Sequence, residues 1–408
     1  MTTGTVADLL TGPVREQLEA DYLHLHAHPE LSGQEEQTAA YLERRLDTLG
    51  IEHFRCGGTG VVGVLRNGAG PVVAFRADTD GLPILEVTGL DYASAARGTL
   101  PDGTDVPVMH GCGHDTHMAA ALAVARALTD RRESWSGTVV LLFQPAEETA
   151  AGARAMVADG LWDRAPRAEV VFGQHVMPEL AGTVALTPGT AAAFSDVWRV
   201  TLTGRQTHGS QPQDGVDPIV LAAHLVTRLQ TIAAREVDPR AMAVVTVGTL
   251  HAGLKANIIP DRAVLELNVR TFDPAVRRTV LSSIRRMVEA EVHASGAPEA
   301  TIEELETFPL LVNDEQTTHE VVDVLRAELG EESVRLQPPL SGSEDFGILA
   351  EALGVPSVFW MFGGMSQEVL ADQPVPKNHS PRFAPVLQPT LDTATRAALA
   401  VLLSRLGR

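Results

Sequence analysis

A chain of 408 residues exceeds what one hydrophobic core usually organises, so two domains are the default expectation. Its 52 acidic residues against 32 basic ones, net −20, repel phosphate backbones, which argues against nucleic acid and anionic membrane surfaces as partners. No uncharged apolar run approaches the roughly 18 residues a membrane span needs, and two cysteines, Cys56 and Cys112, are too few for a disulfide framework.

The N-terminal stretch is interrupted by Asp8, Arg15, Glu16 and Glu19 and lacks a basic start followed by an apolar run. It reads as no signal peptide, with a cytoplasmic location expected. His24, His26 and His28 alternate just before Pro29; a chain entry ending in a proline turn explains them more simply than a metal site.

Apolar β-rich runs at Pro71–Phe75, Thr138–Phe143, Glu169–Phe172 and Val355–Phe359 alternate with helix-like segments. That alternation predicts an α/β layer with a mixed, mostly parallel sheet flanked by helices. The residues expected just beyond the first three strands are Asp78, the pair Glu147 and Glu148, and His175. Ligands of open α/β sheets bind beyond the carboxyl ends of the strands, so three strands deliver metal-competent groups to the expected edge. Between Gly113 and Thr129 an Ala- and Leu-rich segment predicts a tightly packed helix whose first turn follows Cys112 and His114.

From about Thr190 to Leu305 the order changes to Trp198–Thr203 (strand), Pro218–Arg235 (helix), Ala243–Leu250 and Ala263–Arg270 (strands), Pro274–His293 (helix) and Thr301–Glu304 (strand). This is the split βαβ, ferredoxin-like α+β order. Asp217-Pro218 and Asp273-Pro274 each place an N-cap residue before proline at the first helical position. The expected organisation is a discontinuous first domain, 1–189 and 306–408, closing with a helix over Leu391–Leu406, and an inserted second domain, 190–305.

Cys112 and His114 could offer a thiolate and an imidazole to Zn²⁺, Ni²⁺ or Co²⁺. Taken alone, a buried thiol beside a capping histidine explains them as well. Adjacent carboxylates at Glu147 and Glu148 repel unless cations or distinct protonation states separate their roles, so one suits a metal and the other a base. An acidic helix start is the plain alternative. His175 and His379, each alone, fit structural histidines; together with the other groups they point to a metal site.

The segments His26–Leu42, RADTDGLPI at Arg76–Ile84, MHGCGHDTHMAA at Met109–Ala120, FQPAEE at Phe143–Glu148, GRQTHGSQPQDGVDPI at Gly204–Ile219, NIIP at Asn257–Pro260, SGSEDF at Ser341–Phe346 and NHSP at Asn378–Pro381 together resemble the di-metal aminoacylase and carboxypeptidase family. The branch they resemble is that of hippurate hydrolases and indoleacetyl-amino-acid hydrolases. The resemblance implies a catalytic domain with two divalent ions (Zn, Mn, Co or Ni), a lid domain that also forms a homodimer, and cleavage of an amide next to a free carboxylate. It implies Cys112, His114, Glu148, His175 and His379 as ligands, with Cys112 bridging, and Glu147 as general acid and base.

Where the wider family carries His-x-Asp, this chain reads Arg76-Ala77-Asp78, and arginine cannot ligate a cation. Asp78 and Asp115 are therefore expected to orient ligating histidines. By the same resemblance His208 supports the oxyanion and Arg270 with Asn257 clamps the substrate carboxylate. Their plain counterparts are a loop hydrogen bond, a surface ion pair and a turn residue. Glu344 and Asp345 are expected near the site in orienting or capping roles, and Cys56 as a buried thiol. The expected function is metal-dependent hydrolysis of small N-acyl amino acids, giving a carboxylic acid and a free amino acid. A dipeptidase or carboxypeptidase of the same fold, and a non-catalytic metal-binding protein, are the alternatives.

Overall fold

The structure, a computed structural model, describes residues 6–407 apart from Thr11. Part of the N-terminal stretch read for a signal peptide lies outside the described residues. The chain divides into two compact units: one holds the segments up to Ala191, Val312–Pro338 and Asp345 onward, and the other Ala192–Leu311 with Pro339–Glu344.

The first unit is built on an eight-stranded sheet. Its strands are β1 (Glu52–Arg55), β2 (Val61–Asn67), β3 (Val72–Asp78), β4 (Gly137–Gln144), β5 (Val170–Leu180), β6 (Val184–Leu186), β7 (Val334–Leu336) and β8 (Ser357–Met365), in the order β1-β2-β4-β3-β5-β8-β6-β7. The neighbours β4, β3, β5 and β8 run parallel, as do β6 and β7, while β1 and β2 with β4 and the β8–β6 pair are antiparallel. Every residue of β4 and β8 is buried, as expected for strands covered on both faces, whose sequences read as unbroken apolar runs. The helices Gly12–Ala27, His114–Asp130 and Thr390–Arg405 pack on one another. The last two bury alanines on most of their surface, which lets their backbones approach closely.

Two strands extend further than their apolar runs suggest. β3 includes Asp78, and β5 continues to Leu180, so His175 lies inside its strand rather than beyond it. The cause is nonlocal: β5 is laddered to β8 along its length, with His175 opposite Met361 and Leu180 opposite Met365. Glu147 and Glu148 do follow β4 directly, in a short 3-10 turn.

The second unit carries strands Phe194–Thr203, Ala243–Ala252, Arg262–Thr271 and Ala300–Phe308. All three ladders are antiparallel, with Arg262–Thr271 and Phe194–Thr203 at the centre, which is the ferredoxin-like arrangement. Trp198, Val200, Leu225, Leu265, Leu267 and Ile284 form part of its own core under the helices Pro218–Leu229 and Pro274–Ser295. Asp217 accepts from the backbone of Ile219 and Val220, and Asp273 from Ala275 and Val276, so both helix starts are capped. Among the described residues no helix is long and apolar enough to cross a membrane.

Candidate metal centre

Gly113 has φ +79°, and a Cβ there would meet Val176 Cγ1 at 2.4 Å. Only glycine allows so tight a left-handed step, and it separates Cys112 from His114 at the start of the helix His114–Asp130. Cys112 Sγ lies 3.4 Å from His175 Nε2. His175 Nδ1 donates to Val176 O at 2.7 Å, which leaves Nε2 unprotonated in the neutral ring and turned toward the thiol. Donor atoms of Cys112, His114 and His175 all lie within 4.8 Å of one another.

The turn after β4 is held between two non-glycine residues in the left-handed region, Ala146 (φ +49°) and Ala150 (φ +55°). Such conformations cost about 1–3 kcal/mol each and persist where surrounding contacts over-determine them. Here Ala146 N donates to Glu35 Oε1 at 2.9 Å and Glu148 N to Asp80 Oδ2 at 3.1 Å. The result aims Glu148 at two histidines: Oε1 is 3.9 Å from His114 Nε2 and Oε2 is 3.3 Å from His379 Nε2. Glu147 is buried and its carboxylate joins those of Glu148 and the His114 ring in one group. His379 has φ +68° and donates its backbone N–H to Gly111 O at 2.8 Å. Its neighbour Asn378 donates to Val176 O at 3.2 Å, so the segment bearing His379 is fastened to β5.

The supporting groups differ in part from expectation. His114 Nδ1 donates to Asp80 O at 2.9 Å, and Asp80 Oδ2 accepts from Ser32 Oγ at 2.7 Å. Asp80 lies in the segment Arg76–Ile84, of which the sequence reading singled out Asp78 alone. Asp78 Oδ2 accepts from Arg76 Nη1 at 2.6 Å and stands 3.5 Å from His114 Nε2. Burial alone would raise the Asp78 carboxyl, but Arg76, His114 and His117 outweigh it and hold it well below the usual range. His117 hydrogen-bonds Asp78 through Nδ1 and accepts from Val176 N at 2.8 Å through Nε2. Both of its ring nitrogens are committed, and it is no candidate ligand. Asp345 accepts from Gln144 at 2.7 Å and from Ala153 N at 3.1 Å; burial pushes its carboxyl up to about 6 against the opposing pull of Arg76.

Asp115 orients none of the five expected ligands. Its carboxylate meets His26 Nδ1 at 2.7 Å, and His26 Nε2 meets Glu86 Oε1 at 3.1 Å. Consecutive helical residues point about 100° apart, so Asp115 leaves the side His114 faces. Burial alone would lower the His26 pKa, yet the two flanking carboxylates carry it up to about 10. His24 and His28 stack on each other 4.5 Å apart, and neither joins a group of metal-competent side chains among the described residues. Cys56 is a buried thiol facing Met156 O.

His114 Nε2 and Glu148 Oε1 are buried and have no hydrogen-bond partner. Burial, then Glu148, Glu147 and Asp78, push the Cys112 thiol well above its usual range. Burial and His117 push His175 well below its own. Orphaned lone pairs, a thiol among carboxylates and an imidazole held neutral fit a divalent cation, which all of these donors accept.

Within the second unit, His208 pairs with Ile258 across a short ladder, and Gly209 N donates to Asn257 O at 2.8 Å. Ser210 N donates to His208 Nδ1 at 3.1 Å. A neutral His208 therefore carries its proton on Nε2. Half-buried Arg270 donates from Nε to Asn268 Oδ1 at 2.9 Å and from Nη1 to Ser341 O at 2.9 Å and Ser343 Oγ at 3.2 Å.

Residues 74–401 match the model of Peptidase family M20/M25/M40. The chain is 38% identical over 343 residues to N-acetyl-L-cysteine deacetylase of Bacillus subtilis, covering 83% of this chain and 78% of that one. It is 36% identical over 331 residues to hippurate hydrolase of Campylobacter jejuni, covering 80% and 83% respectively. Among solved structures, a dinuclear metal binding peptidase of the M20 family from Bacillus subtilis matches with a TM-score of 0.75 at 31% identity, over 97% of this chain and 100% of that one.

Proposed function

The chain belongs to peptidase family M20/M25/M40, and from that premise we propose that it is a metal-dependent amidohydrolase of N-acylated amino acids, releasing a carboxylic acid and a free amino acid. The observation that carries this is Glu148 reaching both His114 and His379 from a strained turn in which Glu147 is the adjacent residue.

Cys112, His114, Glu148, His175 and His379 would hold two divalent ions. Ions held there supply Lewis acidity at neutral pH. Glu147 takes the proton of the attacking water and returns it to the leaving nitrogen. His208, whose Nδ1 is engaged by Ser210 N, donates from Nε2 to the developing oxyanion. Arg270 and Asn257 bind the substrate's free carboxylate, supplying the local positive charge that an acidic protein needs. Asp78 acts on His114, while Asp115 acts on His26 instead. In this account the first unit is catalytic and the second, Ala192–Leu311 with Pro339–Glu344, serves as lid and homodimer contact in a cytoplasmic enzyme.

Amine release is the test: chelated protein is refilled separately with zinc, manganese, cobalt or nickel and offered N-acetyl, N-benzoyl and longer N-acyl amino acids beside dipeptides. Metal-dependent cleavage of the acyl amino acids alone is expected. Cleavage of dipeptides instead would replace this function with a peptidase of the same fold.

A further inference from the structure

One short segment of the first unit, Ile84–Val87, runs beside the segments that carry Cys112 and His379. Val87 N donates at 2.8 Å to Pro381 O, in the segment that carries His379. A Cβ placed on Gly111 would lie 3.1 Å from Ile84 Cδ1 and 3.8 Å from His379 Cα. Ile84, Gly111 and His379 thus share one patch, next to Cys112 in the chain.

The segment is also pinned from beneath. Glu86 is buried, and its carboxylate accepts from Ser94 N at 2.7 Å, from the Thr88 hydroxyl and from the ring of His26 at 3.1 Å. With Glu86 turned inward, its neighbours face outward: Leu85 is 61% exposed and Val87 49%. Among the described residues the first unit exposes five large hydrophobic side chains, namely Leu85, Val87, Leu180, Val312 and Leu336. Two of the five stand in this strap of four residues, held rigidly where side chains gain nothing from solvent.

We propose that Leu85 and Val87, on the solvent side of a strap whose Ile84 packs beside Gly111, form the wall on which the substrate's acyl group lies, and that they select an aromatic or medium-chain acyl group over acetyl. This rests on the amidohydrolase function proposed above. An acyl amino acid has one charged end and one apolar end, and the strap offers the apolar end a fixed, uncharged surface adjoining Gly111 and His379. Glu86, bonded by His26, Thr88 and Ser94, is what keeps that surface in place.

The test compares native protein with the Leu85→Ser and Val87→Ser variants on N-decanoyl, N-benzoyl and N-acetyl derivatives of one amino acid, with metal content measured in each preparation. A methylene in an apolar pocket is worth about tenfold or more in selectivity. Each variant is expected to lower the decanoyl-to-acetyl ratio of kcat/KM about tenfold at native metal content. A ratio within about twofold of native overturns the proposal. Calorimetric binding of decanoate adds a second readout that needs no turnover. Decanoate binding about tenfold weaker in the variants, with no amide cleaved by any preparation, would leave the wall standing and sink the amidohydrolase function. Equal decanoate binding, or a variant that changes only self-association in sedimentation velocity, overturns the wall.

Discussion

His114 Nε2 stands 3.9 Å from Glu148 Oε1, and neither of these buried atoms has a hydrogen-bond partner. A buried polar atom left unpaired costs about 1–3 kcal/mol, so the fold sets two such costs side by side at one point. A cation held by both atoms would remove both costs. Chelated protein should therefore unfold at lower temperature than refilled protein, by an amount corresponding to about 2.7 kcal/mol when free metal exceeds its Kd a hundredfold. Calorimetry of the two forms checks this, and coincident transitions would speak against a metal at this place.

The 3.4 Å approach of Cys112 Sγ to His175 Nε2 makes a separate prediction. Serine is a poor thiolate substitute, so Cys112→Ser should bind fewer ions per chain after dialysis, as counted by elemental mass spectrometry. Native stoichiometry in that variant would remove Cys112 from the ligand set.

Asp78 is a counter-charge of a fully buried arginine, with Arg76 Nη1 at 2.6 Å. Removing one partner of a buried pair typically costs roughly 3–5 kcal/mol, because a charge stays behind in the interior. Asp78→Asn should lose about that much stability in urea. The double variant Arg76→Met with Asp78→Leu should recover a large part of it. Equal losses in the single and double variants would show that the charge of Arg76 is not what Asp78 offsets.

His26 sets a pH dependence of known sign. Its folded pKa is raised to about 10 from an ordinary 6.5, so its contribution is complete below about 6.5 and is lost as pH climbs through about 10. Burial alone would raise its partners, Asp115 and Glu86, but the bonds to His26 hold both below the ordinary carboxylate range. Their contribution is present above that range and falls away in acid. The stability gap between native protein and His26→Gln should be widest near roughly pH 5–6.5 and close above about pH 10. Urea midpoints across pH measure it, and a gap independent of pH would mean that His26 is not charged in the fold.

Some of this was written locally in the sequence. The capping acids Asp217 and Asp273 announce two helices because a cap and its proline act within one turn. The buried runs of β4 and β8 announce a sheet covered on both faces. The extent of β5 was not legible, because its ladder to β8 joins residues far apart in the chain. At the site, the clustered motifs pointed to Cys112, His114, Glu148, His175 and His379, whose donor atoms the fold gathers in overlapping groups. Asp80 and His26 were missed for one reason. Asp80 matters through Ser32 and Glu148, and His26 through Glu86 and Asp115, partners that only the folded chain supplies. Asp115 was misjudged because adjacency to His114 in sequence does not survive the turn of a helix.

The most direct test of the central claim pairs amine release with metal content for native protein and Glu147→Gln, on an N-acyl amino acid the native protein cleaves. Loss of the acid and base group while the ligands remain should lower kcat by at least about 10²-fold and leave bound metal at the native level. Turnover close to native at full metal content would contradict the role of Glu147 and with it the mechanism proposed for this site.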